Sequence, residues 1–243
     1  MTNSTTKQEL VWDVPVRVFH WLLALSFAGA WITAESERWR PVHITFGYTM
    51  AGLVSLRIIW GFIGTRYARF ASFVRGPAAT LSYLKSLASA RPEHHAGHNP
   101  AGAVAIVGML ALIALTTASG WANYEGIGWG WFEEAHEIAA ELLMALVVVH
   151  LAGVALSSFL HRENLVRSMV TGFKKTPTSV NDPRNDVRSW SILGAALLGI
   201  VLTFWWWQWQ DGTFAGSSAG SKDASAPASA EVRNRHHERR EDD

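Results

Sequence analysis

The sequence predicts an all-α integral membrane protein: a four-helix transmembrane bundle followed by a fifth C-terminal transmembrane helix. Three observations predict it. Five segments of about twenty residues or more are predominantly apolar, the length a helix needs to cross a hydrocarbon core. Of the 243 residues, 49% are hydrophobic, and they lie in runs longer than a soluble core would keep. The Lys and Arg residues between the segments gather in alternate connectors, as the positive-inside rule requires of a multi-pass chain.

Composition also bounds the chemistry. The chain has 13 Trp and no Cys, which excludes disulfides, Cys-ligated zinc, iron–sulfur clusters and covalently attached haem. Any metal chemistry must use His, carboxylate, Met or Tyr. The net charge of +1 says nothing as a sum and gives no sign of a nucleic-acid partner; the partner that the pattern implies is membrane lipid.

In chain order, residues 1–10 are polar and are expected to be disordered. Because they do not make a cleavable signal peptide, the first apolar segment is expected to stay as a spanning helix. It begins near Pro15, which suits a first helical turn, and runs to about Ala34, with Trp12 and Trp21 at the interface. A short link, Glu35 to Pro41, returns the chain. The second segment runs from about His43 to Gly64 and contains Gly47, Ala51 and Gly52, small residues that admit another helix or a flat ligand. A polar and amphipathic stretch, Thr65 to Pro100, carries Arg66, Arg69, Arg75, Lys85 and Arg91. The third segment spans about Ala101 to Ala122, with no charge and no His. After a Gly- and Trp-rich loop, the fourth runs from Glu133 to Leu160. Arg162 to Arg188 is basic, the fifth segment covers about Ser189 to Gln208 and ends in an interfacial belt of Trp, and the tail from Asp211 reads as disordered. The expected division is residues 1–175 for the four-helix unit, 176–210 for a cytoplasmic linker and the fifth helix, and 211–243 for an extracytoplasmic tail. No internal repeat stands out.

Four histidines organise the segments. His136 and His150 lie fourteen residues apart, so they share a face of one helix nearly four turns, or roughly 21 Å, apart. Ionisable groups within a membrane span are uncommon and point to function. His43 opens the second segment on the side of His136. His20 opens the first segment on the side towards which His150 lies. Two level-matched pairs result, His43 with His136 and His20 with His150. A bare divalent ion needs three or four protein ligands, whereas haem iron already has four ring nitrogens and needs only axial ones. The pairs therefore fit two haems. Arg57 lies fourteen residues after His43, at the level of the second pair. It is the first candidate partner for haem carboxylates, with Arg17 second; the plainer reading is that Arg57 snorkels to the headgroups.

The remaining titratable groups have simpler readings. His94, His95 and His98 are expected to be solvated, His161 interfacial, and His236 and His237 to lie idle in the tail. Glu133, Glu134 and Glu137 favour the positive end of their helix dipole; Glu141, deeper, is a weaker candidate for proton handling. The rival to the haem reading is a non-redox transporter or assembly scaffold whose histidines are structural, although the interrupted helices of a transporter are not evident.

The motif Val11-Trp12-Asp13-Val14-Pro15-x-Arg17-x-Phe19-His20-Trp21, then His43 before Gly47 and Gly52, the run Arg57 to Phe70, then Gly97-His98-Asn99-Pro100, and finally His136 and His150, resemble the bacterial cytochrome b561 family. That family is grouped with the b-type cytochrome subunits of nickel–iron hydrogenases, and the resemblance covers about residues 10–175. It implies a four-helix core with two b haems, His20, His43, His136 and His150 in the ligand positions, and electron transfer involving the quinone pool (ubiquinone or menaquinone). The redox partner it implies is a periplasmic c-type cytochrome or a hydrogenase-like enzyme. The implied location is the bacterial inner membrane, with the N terminus cytoplasmic and the C terminus periplasmic by charge. Arg17, Arg57, Arg66 and His161 form a weak candidate quinone cluster. The fifth segment and the tail go beyond the family pattern.

Overall fold

The computed structural model describes residues 6–74, 76–87, 100–161, 163–177 and 190–211. In chain order these form β1 (Thr6–Leu10), α1 (Val14–Thr33), a 3-10 turn at Glu37–Trp39, α2 (Arg40–Ile63), α3 (Phe70–Phe73), α4 (Pro77–Leu87), α5 (Pro100–Tyr124), α6 (Trp131–His161), α7 (Leu165–Thr171), β2 (Phe173–Pro177) and α8 (Ser191–Gln210). His94, His95, His98, His236, His237, Arg75, Arg91, Arg162 and the tail from 212 lie outside the described residues, as does the side chain of His161.

Among the described residues, α1, α2 with its preceding turn, α5, α6 and α8 are each long and apolar enough to cross a membrane. Only 6% of the apolar window of α6 and 33% of that of α2 is buried. A water-soluble fold could not leave that much apolar surface exposed; lipid is the solvent for it. Hence the hydropathy signal is so direct: in lipid the backbone must satisfy itself, and the helix sides may stay apolar.

Local chemistry sets the helix ends. Asp13 has extended backbone and its Oδ1 accepts a 2.8 Å bond from the Val16 N–H, capping α1, whose first turn contains Pro15. Pro41 likewise sits in the first turn of α2, so α2 starts at Arg40 and His43 is already inside it. Gly126, Gly128 and Gly130 all have positive φ, and Trp129 between them has φ 54° and is fully exposed. These residues fold the chain back within the few positions between α5 and α6.

The helices pack in a sequence of neighbours. α1 lies on α2, α2 on α5, and α5 along much of α6, while α8 lies against α1. An apolar cluster takes Ala30 from α1, Met50 and Val54 from α2, Leu110 and Ile113 from α5 and Leu143 from α6. Leu143 is seven residues from both His136 and His150, two turns either way. The cluster therefore fills the midplane between the two histidine levels.

Two expectations need correction. Residues 6–10 are not disordered: they form an antiparallel pair with Phe173–Pro177, in register Leu10 with Phe173. The Val11 and Trp12 N–H groups continue the tie to the Gly172 carbonyl at 2.9 and 3.1 Å. Gly172 caps α7 at φ +88°, and a methyl group there would lie 2.8 Å from the Trp12 carbonyl oxygen. The position thus needs glycine for both conformation and room. The ribbon also runs across the expected boundary at residue 175. Second, of the two uses expected of Gly52, a neighbouring helix does not take it up: it is exposed, with nothing in the protein within 4 Å of where its Cβ would stand, as at Gly47.

Candidate functional site

His43, in the first turn of α2, and His136, in the second turn of α6, meet at one end of the molecule. Their ring centroids are 6.0 Å apart and their planes are at 75°. Nδ1 of His43 is 2.8 Å from the carbonyl oxygen of Ala30 on α1. Nδ1 of His136 is 2.8 Å from the carbonyl oxygen of Thr116 on α5. A carbonyl only accepts, so each Nδ1 carries the proton and donates. Each Nε2 is then the unprotonated nitrogen, the one a metal takes. Such a bond on the far nitrogen fixes tautomer and ring direction, as it does for metal-bound histidines generally.

Glycine makes the second of these bonds possible. An imidazole reaching the Thr116 carbonyl must pass the residue one turn further along α5, which is Gly120. A methyl group there would lie 2.8 Å from Nδ1 of His136 and 2.9 Å from its Cε1. On α2, Gly47 lies one turn beyond His43 on the same face, and nothing in the protein stands within 4 Å of where its Cβ would be. The space beside His43 is thus left open by the protein.

His20 lies in the second turn of α1, packed edge-on against Trp21 at 5.2 Å. Nδ1 of His20 is buried with no hydrogen-bond partner among the described residues. Arg57 on α2 is only 5% exposed, so it does not snorkel into solvent. Its guanidinium stands 5.1 Å over the Phe70 ring, and Nη1 is buried without a partner. The nearby buried Asp13 is committed elsewhere. Its Oδ2 accepts from Trp60 Nε1 at 3.1 Å and from Thr65 Oγ1 at 2.6 Å, tying the start of α1 to the end of α2. Arg17 reaches away, donating Nη1 to the Val170 carbonyl of α7 at 2.6 Å. Arg66 lies over Tyr67. Glu133, Glu134, Glu137 and Glu141 are all exposed on α6.

The donor set fits haem better than a bare ion. Among the described residues, no three His, Cys, Asp or Glu side chains gather as a metal ion alone would need. Two imidazoles on opposite sides of one metal, each bonded at about 2 Å, place their centroids roughly 6 Å apart, and the His43–His136 separation matches that. A buried guanidinium whose Nη1 has no partner among the described residues, as on Arg57, is what a ligand carboxylate would satisfy.

The fold defines a multi-pass membrane protein with two histidines, His43 and His136, facing each other at one end. Comparison with known proteins gives the particular family. The model of prokaryotic cytochrome b561 matches residues 11–172, and the chain belongs to that family. It is therefore an electron-transfer membrane protein of the b-type cytochrome class, with haem b as its cofactor. A probable Ni/Fe-hydrogenase B-type cytochrome subunit of Rhodobacter capsulatus is 22% identical, with 72% of this chain and 88% of that protein covered. The corresponding protein of Azotobacter chroococcum mcd 1 is 26% identical, covering 68% and 87%, and that of Cupriavidus necator 22%, covering 71% and 89%. No solved structure gives a significant match. α8 lies beyond the matched residues.

Gly120 and the carbonyls of Ala30 and Thr116 gave no signal in the sequence reading, and Asp13 stood out only as part of the motif that opens α1. Gly120 had one available signal, an isolated glycine inside a long apolar helix, which costs stability relative to Ala and commonly has a packing reason.

Proposed function

We propose that the protein is a di-haem b-type cytochrome with a four-helix core, in which His43 and His136 ligate one haem and His20 and His150 the other. The observation that carries this reading is the geometry of the first pair, two imidazoles with Nδ1 held by helix carbonyls and centroids 6.0 Å apart. Haem b supplies a one-electron redox centre when bound. The protein's part is to hold the ligands, keep water out and space the levels. The midplane cluster around Leu143 packs an apolar layer between sites that α6 separates by about 21 Å. Arg57 meets the carboxylates of the second haem, with Arg17 in reserve.

In this reading the protein passes electrons between the quinone pool and a redox partner on the opposite face. The relatives are hydrogenase cytochrome subunits by name, so a hydrogenase-like enzyme is the first partner to test and a c-type cytochrome the second. The connectors rich in Lys and Arg support a cytoplasmic N terminus and a periplasmic end of α8. The His20/His150 haem is then the inner one. An open groove of about 520 Å³ begins at Leu151, next to His150 in the chain, and is lined by Leu151, Val154, Ala155, Ser158, Phe159 and Val166, with Glu163 and Asn164 at its polar end. Its mostly apolar wall suits a quinone better than the arginines do.

The deciding experiment is a reduced-minus-oxidised spectrum of the purified protein, with haem counted after extraction into pyridine. Sharp b-type bands at two haems per chain support the assignment. A single haem per chain would leave one of the pairs structural.

A further inference from the structure

The fifth spanning helix is fastened to α2 by polar bonds that a mere membrane anchor would not need. Trp205 Nε1 donates to Thr49 Oγ1 at 3.0 Å, and Gln208 Nε2 donates to Thr45 Oγ1 at 3.1 Å. Both threonines are buried, at 5% and 0% exposed. Each hydroxyl spends its own proton one turn back along α2: Thr45 Oγ1 donates to the Pro41 carbonyl at 2.9 Å and Thr49 Oγ1 to the Thr45 carbonyl at 2.8 Å. Each is thereby left with lone pairs that only an outside donor can use. Such back-bonding also shapes the helix that carries it.

These bonds act on the turn that holds His43. Pro41 and Thr45 bracket it. Three residues on, the Phe46 ring packs edge-on against Trp205 at 5.7 Å. The other side of Phe46 fills the space over Gly29, where a methyl group would lie 2.3 Å from the ring. Gly29 precedes Ala30, whose carbonyl holds His43 Nδ1. So α8 presses on α2 from behind and α1 holds the imidazole from the front.

We propose that α8, through Trp205 and Gln208, is a positioning helix for His43 and thereby for the haem at that level alone. This rests on the assignment of His43 as a ligand. Trp205 and Gln208 touch neither imidazole of the pair; they act by fixing the first turns of α2.

The test uses the full chain with Trp205→Phe, which keeps the ring and drops the N–H, and with Gln208→Leu. Trp206→Phe and Trp207→Phe are controls, because both residues are more than 60% exposed. Hydrogen exchange at amides 44–49 and separate redox titration of the two centres are the readouts. Exchange there should quicken by about fivefold, the factor that one ordinary hydrogen bond carries. The midpoint of the His43/His136 centre should move while that of the other stays. Thr49→Val should behave like Trp205→Phe, and Thr49→Ser, which keeps the hydroxyl, like the parent. Should Trp205→Phe not accumulate, Gln208→Leu, near the end of α8, decides alone. Unchanged exchange and potential in Gln208→Leu would overturn the proposal, and so would an equal shift at both centres, which signals general loosening. His43→Ala separates the two claims. If it spares both centres, the ligand assignment fails, whereas exchange at 44–49 still reports on the clamp.

Discussion

Replacing Gly120 by Ala probes the haem site with a single methyl group. That methyl would stand 2.8 Å from Nδ1 of His136, against an ordinary contact of about 3.5 Å or more. The imidazole must therefore retreat by roughly 0.7 Å. It cannot do so freely, because the same nitrogen is bonded to Thr116 at 2.8 Å, and such a move takes that bond beyond hydrogen-bond range. Losing a supporting bond of this kind commonly costs about 10–100-fold in affinity for the bound metal centre. The expected result is a haem at the His43/His136 level that transfers readily to apomyoglobin, while the other haem is retained. Helix propensity works the other way, since Ala stabilises a helix interior over Gly by about 1 kcal/mol. Loss of haem without loss of thermal stability therefore identifies a local effect. Gly153→Ala is the control, because a methyl group there meets nothing within 4 Å. If Gly120→Ala bound both haems as tightly as the parent, the claim that His136 needs this gap would be refuted.

Three other outcomes are expected. His150→Ala should remove the inner haem and leave the outer one; survival of both at full occupancy would sink the pairing. Asp13→Ala removes the α1 cap, worth about 1 kcal/mol, and strands the Trp60 and Thr65 donors, at about 1–3 kcal/mol each. The thermal midpoint followed by haem absorbance should fall by several degrees, and a change within error would show that the network carries no stability. Val154→Trp should fill the groove beside His150 and slow reduction by a quinol analogue while dithionite still reduces all the haem; equal quinol rates would place the quinone elsewhere.

The spans were legible because lipid removes the ambiguity that a soluble core creates: an apolar run long enough to cross can be little else. The meeting of His43 with His136 was legible too, since each opens its segment on the same side of the membrane. Three kinds of feature were hidden. The start of α2 was placed at His43 because the apolar run begins there, whereas the helix starts three residues earlier at Arg40, with Pro41 in its first turn. The β-ribbon joins residues 6–10 to 173–177, too short and too far apart in the chain for any local pattern to announce. The carbonyls of Ala30 and Thr116 carry no side-chain signature at all, although they decide which nitrogen each histidine presents. Arg57 lay between these cases: its charge inside a span flagged it, but only packing distinguishes burial over Phe70 from an escape to the headgroups.

The two histidine levels differ in what completes them. At the His43/His136 level both Nδ1 atoms are bonded to backbone oxygen, although the Thr116 hydroxyl is buried with no partner among the described residues. Nδ1 of His20, Nη1 of Arg57 and Nε of Arg17 are likewise buried with no partner among the described residues. Each buried unpaired donor costs about 1–3 kcal/mol, more when charged. A chain that folded without a ligand there would carry the whole of that cost. In the proposed assignment, haem carboxylates would supply the partner that Arg57 Nη1 lacks. By mass action such a ligand stabilises the fold it completes. On the proposed reading, helix carbonyls shape the His43/His136 site in advance, whereas the surroundings of Arg57 are completed by what binds there.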